Sequence, residues 1–414
     1  MRRQALPSLL ALAYTLSFFD RALVAVAGAS IKRDLGLDDG QFGFLSGTAF
    51  AILYGLFSVP LGWYADRTDR RALIACGMLF WSAMTAVCGL AQSFAVMVAA
   101  RIGVGIGEAC LIPAAVSLIH DTVPAERRAR AIALFLIGAA LGNAFALLGG
   151  GFALQYLTAT IGLAPWRLLF LAASLPGLVL AATLLAVEEP ARTANRSWST
   201  AHTSLAHLRD NSQAYGLLTA ATACSIALAQ TQAAWIPQFF SRRFDLAPGE
   251  GAVTAGFLFL LSAPLGQWVG GQMIDRFAKR GIPAAHNLVL AICCAMSLPA
   301  AAGYCLADDL HHAELAYLLF NLLVFAATPA GLSGWQRLTP ARYQGMVSAL
   351  LGAIATVFGI GLGPLAVGVL ADRWTLAPAL LTVSLTAGVA GTSLALAGRK
   401  PFALADRTPL EVDD

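Results

Sequence analysis

A chain of 414 residues that is 58% apolar and only 12% charged is not composed like a soluble domain, where about 25% of residues carry charge. Its mean hydropathy is +0.70, and the apolar residues gather in repeated runs of roughly 20, the length that crosses a bilayer as a helix. A net charge of +4 is too small to point to nucleic acid, which leaves an all-α membrane protein with many spans.

Twelve spans are predicted, at residues 8–31, 41–63, 72–91, 94–117, 131–157, 166–187, 214–240, 251–273, 284–306, 314–335, 345–371 and 376–398. The first is too long for a signal peptide and lacks a small-residue cleavage site, so it is expected to stay. With the N-terminus inside, the inner segments hold 19 of the 27 Lys and Arg residues and the outer loops 5. That bias puts both termini in the cytoplasm, as an even span count also does, and the inner cell membrane is the expected location.

Span one carries Asp20 and Arg21 side by side, and span four carries Arg101 and Glu108. Charges at membrane depth cost several kcal/mol unless paired or hydrated, and they usually mark a pathway. Asp20 lies ~18 Å from the cytoplasmic end of its span, between Glu108 at ~13 Å and Arg101 at ~24 Å, at about 1.5 Å per residue. Arg101 and Glu108 are seven apart, so they share one helix face. The expected pairs are Asp20 with Arg101, and Arg21 with Glu108 or a substrate. Apolar walls raise a carboxylate's pKa and a guanidinium lowers it, so a carboxylate between the two can change protonation as the arginine moves. The freed arginine can then hold an anion bidentately. A static ion-pair network is the structural alternative.

The glycines of span four, Gly103, Gly105 and Gly107, follow no strand, so they are packing residues rather than a phosphate loop. Gly138 and Gly142 in span five are read the same way. The seven cysteines all fall within spans without metal-ligand or disulfide spacing, and they read as small packing residues. His311 and His312, beside Asp308, Asp309 and Glu314, read as a solvated loop before a metal site.

The most polar long interior segment, 188–213, separates residues 1–187 from residues 214–414. A surface helix is expected within it, over Ser199 to Asn211. Gly62, Asp66, Arg67, Arg70 and Arg71 in loop 2–3 recur as Gly271, Asp275, Arg276, Lys279 and Arg280 in loop 8–9, at an offset of 209. Val123-Pro124-Ala125 recurs as Thr339-Pro340-Ala341 at an offset of 216. Two echoes in matching slots indicate a duplicated six-span unit. The later spans carry no charge in their interiors. They offer Gln230, Gln232, Trp235, Asn321 and many phenylalanines, which suits the tail of an amphiphile whose head group meets the charges of the first half.

The motif G-x-x-x-D-R-x-x-[RK]-R resembles the signature loop of the major facilitator superfamily, and Arg101-x-x-x-Gly105-x-Gly107 is similar to its fourth-helix motif. The resemblance implies two pseudo-symmetric six-helix bundles with spans one, four, seven and ten around a central cavity. Asp20-Arg21 with Arg101 and Glu108 resembles the spinster family of proton-linked lipid transporters. This implies alternating-access, proton-coupled transport of lysophospholipid-like or sphingoid-like amphiphiles. Asp20 and Glu108 are then the expected proton carriers, and Arg21, Arg101, Glu108, Gln230, Gln232, Trp235 and Asn321 the substrate-binding residues.

A carboxylate at the end of span two can face a helix N-terminus. The resemblance makes that helix the eleventh, and makes Asp66, Arg67, Arg70 and Arg71, with Glu126, Arg127 and Arg130, a cytoplasmic gate that Asp275 echoes. Asn143 stands where the superfamily's antiporter motif has proline, which leaves transport direction open. A multidrug or organic-anion transporter is the near alternative, and a non-transporting sensor or scaffold is the alternative of another class. No enzyme motif is present, nor any P-loop. The expected partners are a small amphiphile, membrane lipids and protons, with no cofactor beyond the proton gradient, no nucleic acid and a monomeric chain.

Overall fold

The computed structural model describes residues 5–65, 67–157, 162–190, 207–247, 249–340 and 344–406. Among them the regular elements are helices, and no strand occurs. In chain order these are α1 (Leu6–Leu35), α2 (Asp39–Ala65), α3 (Arg70–Leu90), α4 (Phe94–Glu108), α5 (Leu111–Thr122), α6 (Ala125–Phe145) and α7 (Pro165–Leu185). There follow α8 (Ser212–Arg243), α9 (Glu250–Lys279), α10 (Ala285–Leu306), α11 (Leu310–Leu338), α12 (Gln344–Ala371), α13 (Leu376–Ala397) and a short α14 (Arg399–Ala405).

Each predicted span coincides with a helix, and eleven are long and apolar enough to cross a membrane. The remaining one, α8, is 32 residues long, and Gln230, Thr231, Gln232 and Gln238 dilute its apolarity. Two spans contain π turns: Phe44–Thr48 within α2, and Ala146–Gly150, through which α6 runs on to Tyr156. Most of the surface helix expected over Ser199 to Asn211 lies outside the described residues; His207 to Asp210 are helical.

Span four is interrupted, which the sequence reading did not anticipate. Helix α4 ends at Glu108 and α5 begins at Leu111. Pro113 has no N–H to give the carbonyl of Ala109, so the ladder breaks one residue after the buried carboxylate. The Cys110 thiol donates to the Gly107 carbonyl at 3.3 Å within the break.

Helix ends follow local chemistry. Helix α1 starts with Pro7 in its first turn and stops at Gly36, whose φ of 64° only glycine adopts freely. Asp69 caps α3 by accepting the Ala72 N–H at 2.9 Å, and Asp309 caps α11 by accepting the His312 N–H at 3.0 Å.

The contacts group Met1–Arg196 with Ala233–Leu260 in one compact unit, and Ser197–Gln232 with Leu261–Asp414 in a second. The first therefore includes the end of α8 and the start of α9. Its core packs Trp81, Phe135, Ile74, Met78 and Leu118, with Tyr14 of α1 stacked on Phe135 of α6 at 4.4 Å. In the second unit, Tyr304 of α10 meets Phe320 of α11 edge-on at 5.5 Å. There Phe402 of α14 is buried against Gly334.

The repeat read from the loops also appears in the packing. A Cβ on Gly142 of α6 would lie 2.2 Å from the Thr15 carbonyl oxygen of α1. A Cβ on Gly363 of α12 would lie 2.2 Å from Thr231 Oγ1 of α8. Small residues thus let the first and fifth spans of each half touch, the packing role expected of Gly142. Gly142→Val is expected to force α1 and α6 apart at a cost of about 1–3 kcal/mol. Thermal unfolding in detergent should show a lower Tm for this variant, and an unchanged Tm would contradict the seam.

Candidate functional site

Asp20, Arg101 and Glu108 are buried and the Arg21 side chain is 13% exposed, and all four lie in the first unit. Helix α1 places Ser17 one turn before Asp20 and Arg21, so Ser17 and Arg21 share a face. That face meets the end of α4. Glu108 Oε2 accepts from Arg21 Nε at 2.6 Å and from Ser17 Oγ at 2.7 Å. Three rings surround the Arg21 guanidinium, with centroids at 4.5 Å for Phe18, 4.4 Å for Phe50 and 4.9 Å for Tyr54. Ring faces stabilise a desolvated cation, so this arginine is held by one carboxylate and an aromatic cage.

Asp20 points elsewhere. Neighbouring residues on a helix project about 100° apart, so Asp20 cannot share the Arg21 direction. It is buried and accepts from Thr85 Oγ1 of α3 at 3.2 Å. The expected Asp20–Arg101 ion pair is not formed; the carboxylate takes a neutral hydroxyl on α3 instead. Arg101 is 2% exposed. Its guanidinium lies 5.6 Å from the Phe50 centroid and forms no hydrogen bond or ion pair among the described residues, its Nε being buried without a partner. Glu108 Oε1 is likewise buried and unpartnered. The site therefore holds one hydrogen-bonded ion pair, Arg21–Glu108, and a second guanidinium, Arg101, on which Asp20 and Glu108 act only through space. Ser17, Thr85, Phe50 and Tyr54 contribute to it without having been singled out in the sequence, where hydroxyls and rings are common in apolar helices.

The polar residues expected opposite these charges are engaged within their own unit. Gln232 Nε2 donates to Ser384 at 3.1 Å, and Asn321 Nδ2 donates to Ser262 at 2.6 Å. Trp235 is fully buried in the first unit, edge-on to Phe42 at 5.0 Å. Gln230 is half-buried.

At the other end of the unit, Arg70 is 1% exposed. It binds Asp121, Glu189 at 2.8 Å, Ser117 at 3.0 Å and the Pro190 carbonyl at 3.2 Å. Arg71 binds Asp69 at 3.0 Å and the carbonyls of Leu185 and Val187. These arginines thus tie the start of α3 to the ends of α5 and α7. Partial burial raises the Asp69 carboxyl, but the Ala72 N–H and the Arg71 guanidinium outweigh it and hold the group below the usual carboxylate range. The cap is intact at neutral pH and is lost as pH falls through that lowered value. Arg67 is exposed, its guanidinium 3.9 Å from the Trp63 centroid. Arg127, Arg130 and Asp275 are exposed. Asp66 and the Glu126 side chain, both expected in the gate, lie outside the described residues.

The seven cysteines are free thiols. His312 pairs with Asp309 and His311 with Glu314 at 3.3 Å; no metal-binding group occurs among the described residues.

Residues 10–364 match the sequence profile of the Major Facilitator Superfamily. The chain belongs to this superfamily. It is a multi-pass membrane transporter, not an enzyme. It is 29% identical over 389 residues to an MFS-type efflux pump of Mycolicibacterium smegmatis, covering 90% of this chain and 86% of that protein. It is 27% identical to a probable L-galactonate transporter of Escherichia coli, covering 79% and 73%. Protein spinster of Drosophila melanogaster is 24% identical over 84% of this chain and 59% of its own length. A bacterial homolog of the human lysosomal transporter spinster, solved in an inward-facing and unoccupied conformation, superposes with a TM-score of 0.82 at 24% identity, covering 98% and 97% of the two chains. The resemblance to the superfamily and to spinster proteins read from the motifs is thus met by independent comparisons.

The Arg21–Glu108 pair makes a stability prediction. Arg21→Met strands a buried carboxylate, a loss of about 3–5 kcal/mol, whereas neutralising both partners is far milder. Arg21→Met should unfold at a much lower temperature than the parent chain, and adding Glu108→Gln should recover most of the loss. Equal melting of the single and double variants would show that the pair carries no such coupling.

Proposed function

We propose that the chain couples proton movement to the passage of an anionic amphiphile by alternating access. The observation that carries this reading is Arg101, a guanidinium buried in an apolar bundle with no carboxylate accepting its hydrogen bonds. Unmade hydrogen bonds on a buried cation are costly, and a carboxylate, phosphate or sulfonate head group would supply them bidentately. Asp20 and Glu108 are the proton-handling groups. Glu108 is held by Arg21 and Ser17, so protonating it releases the arginine. Asp20 is hydrogen-bonded to a hydroxyl and sits in the field of Arg101 and Glu108, so it can gain or lose a proton without breaking a hydrogen-bonded ion pair.

The amphiphile reading is supported by the split between charged first-half spans and uncharged second-half spans, and by likeness to spinster proteins. A second reading, a small hydroxylated organic anion, is favoured by the relative named as an L-galactonate transporter. In either case the anion docks on Arg101.

Proteoliposomes with an imposed pH gradient separate these readings. Proton-driven uptake should vanish in Asp20→Asn and Glu108→Gln, while Arg101→Gln should lose binding of the anion. Single-chain phospholipids and sphingoid phosphates should compete, and sugar acids should not. Competition by sugar acids alone selects the second reading, and full gradient-driven uptake by both carboxylate variants removes proton coupling. Both termini are proposed to face the cytoplasm of the inner membrane, with the monomer as the working unit.

A further inference from the structure

A second cluster of ion pairs lies at the end of the first unit where α1 stops. Asp39, the first residue of α2, accepts from both terminal nitrogens of Arg242, at 2.9 and 2.8 Å, and also pairs with Lys32 of α1. Arg242 donates in addition to Gln238 Oε1 at 2.8 Å, one turn earlier on α8. Beneath this pair the packing is close. Phe42 of α2 meets Trp235 of α8 edge-on at 5.0 Å. A Cβ on Gly28 of α1 would lie 2.4 Å from Gln238 Nε2. Beside it, a Cβ on Gly249 would lie 2.3 Å from the Gly151 carbonyl oxygen. Two backbones that touch through glycine leave no passage between them.

These contacts account for an oddity in the compact units. Ala233–Leu260, the end of α8 and the start of α9, groups with the first half of the chain although the rest of both helices does not. In a six-plus-six transporter the helices of one half must part from those of the other at each end in turn. A fork-shaped guanidinium–carboxylate pair is directional and breakable, and at the rim of the unit it remains reachable by water: the Arg242 side chain is 38% exposed and that of Asp39 12%.

We infer that Asp39 and Arg242, backed by Lys32 and Gln238, form a latch that holds this end closed and must break for solvent to enter from it. The inference rests on membership in the superfamily and not on the substrate reading, so the two fail separately. Arg242 positions the closed state and touches no substrate.

Accessibility tests it without any substrate. Ala252, 2% exposed at the start of α9, is replaced by cysteine in a chain whose seven native cysteines are changed to serine or alanine. Labelling by a membrane-impermeant maleimide is then followed in membranes. Asp39→Asn and Arg242→Gln should each raise the labelling rate about tenfold by shifting the population of open molecules. The exchanged pair Asp39→Arg with Arg242→Asp, combined with Lys32→Gln so that no second cation faces position 39, should bring the rate back down. A cysteine at Ala181, fully buried in the core of the same unit, should stay unlabelled throughout. Unchanged labelling in both single variants, or a rise that the exchange leaves in place, overturns the latch. So does a rise shared by the Ala181 position, which would assign the pair to fold stability.

Discussion

Desolvation of ionised side chains is the constraint on which this molecule turns. The Arg21–Glu108 pair sits inside helices chosen for apolarity, where an unpaired charge costs several kcal/mol. The surroundings of the pair answer that cost one group at a time. Ser17 supplies a second donor to the carboxylate, and Phe18, Phe50 and Tyr54 present ring faces to the guanidinium. Helix α4 ends at Glu108 itself, and α5 resumes at Leu111 with Pro113, which cannot donate back to Ala109, in its first turn.

How much of this is legible in sequence depends on the range of the interaction. Helical spans follow from hydropathy because the bilayer imposes one length on all of them, and each predicted span met a helix. The duplication was legible from loop motifs and reappears as the Gly142 and Gly363 seams. The four buried charges were legible as anomalies, and so was the Arg21–Glu108 pair. The partner of Asp20 was not. Depth alone brings Asp20 between Glu108 and Arg101, but the direction of its side chain around α1 decides between α3 and α4, and a span-level reading has no measure of rotation. Rotation also decides the partners of Gln232 and Asn321, whose amide nitrogens donate to Ser384 and Ser262 on neighbouring helices while Gln232 Oε1 stays buried without a partner. Nothing local in the sequence marks the pairing of Arg242 with a residue 203 positions away.

Two classes of arginine emerge from the first unit. Arg70 and Arg21 are compensated: each has carboxylates within hydrogen-bond reach, and each ties helices together. Arg101 is as deeply buried as Arg70 but has no carboxylate within hydrogen-bond reach; Asp20 and Glu108 act on it only through space. Hydrogen-bonded ion pairs fix geometry, and Arg101 is not fixed in that way.

The remaining step concerns α1, which carries residues of both charged clusters. Arg21 and Lys32 lie eleven residues apart on one continuous helix, ~16 Å at about 1.5 Å of rise per residue. Arg21 is fastened to Glu108, and Lys32 to the Asp39 that grips Arg242. One unbroken helix thus runs from the Glu108 pair to the Asp39 cluster, so the two sets of ion pairs are held at a fixed spacing. The close approach of Gly142 on α6 to the Thr15 carbonyl fixes the seat of that helix between them.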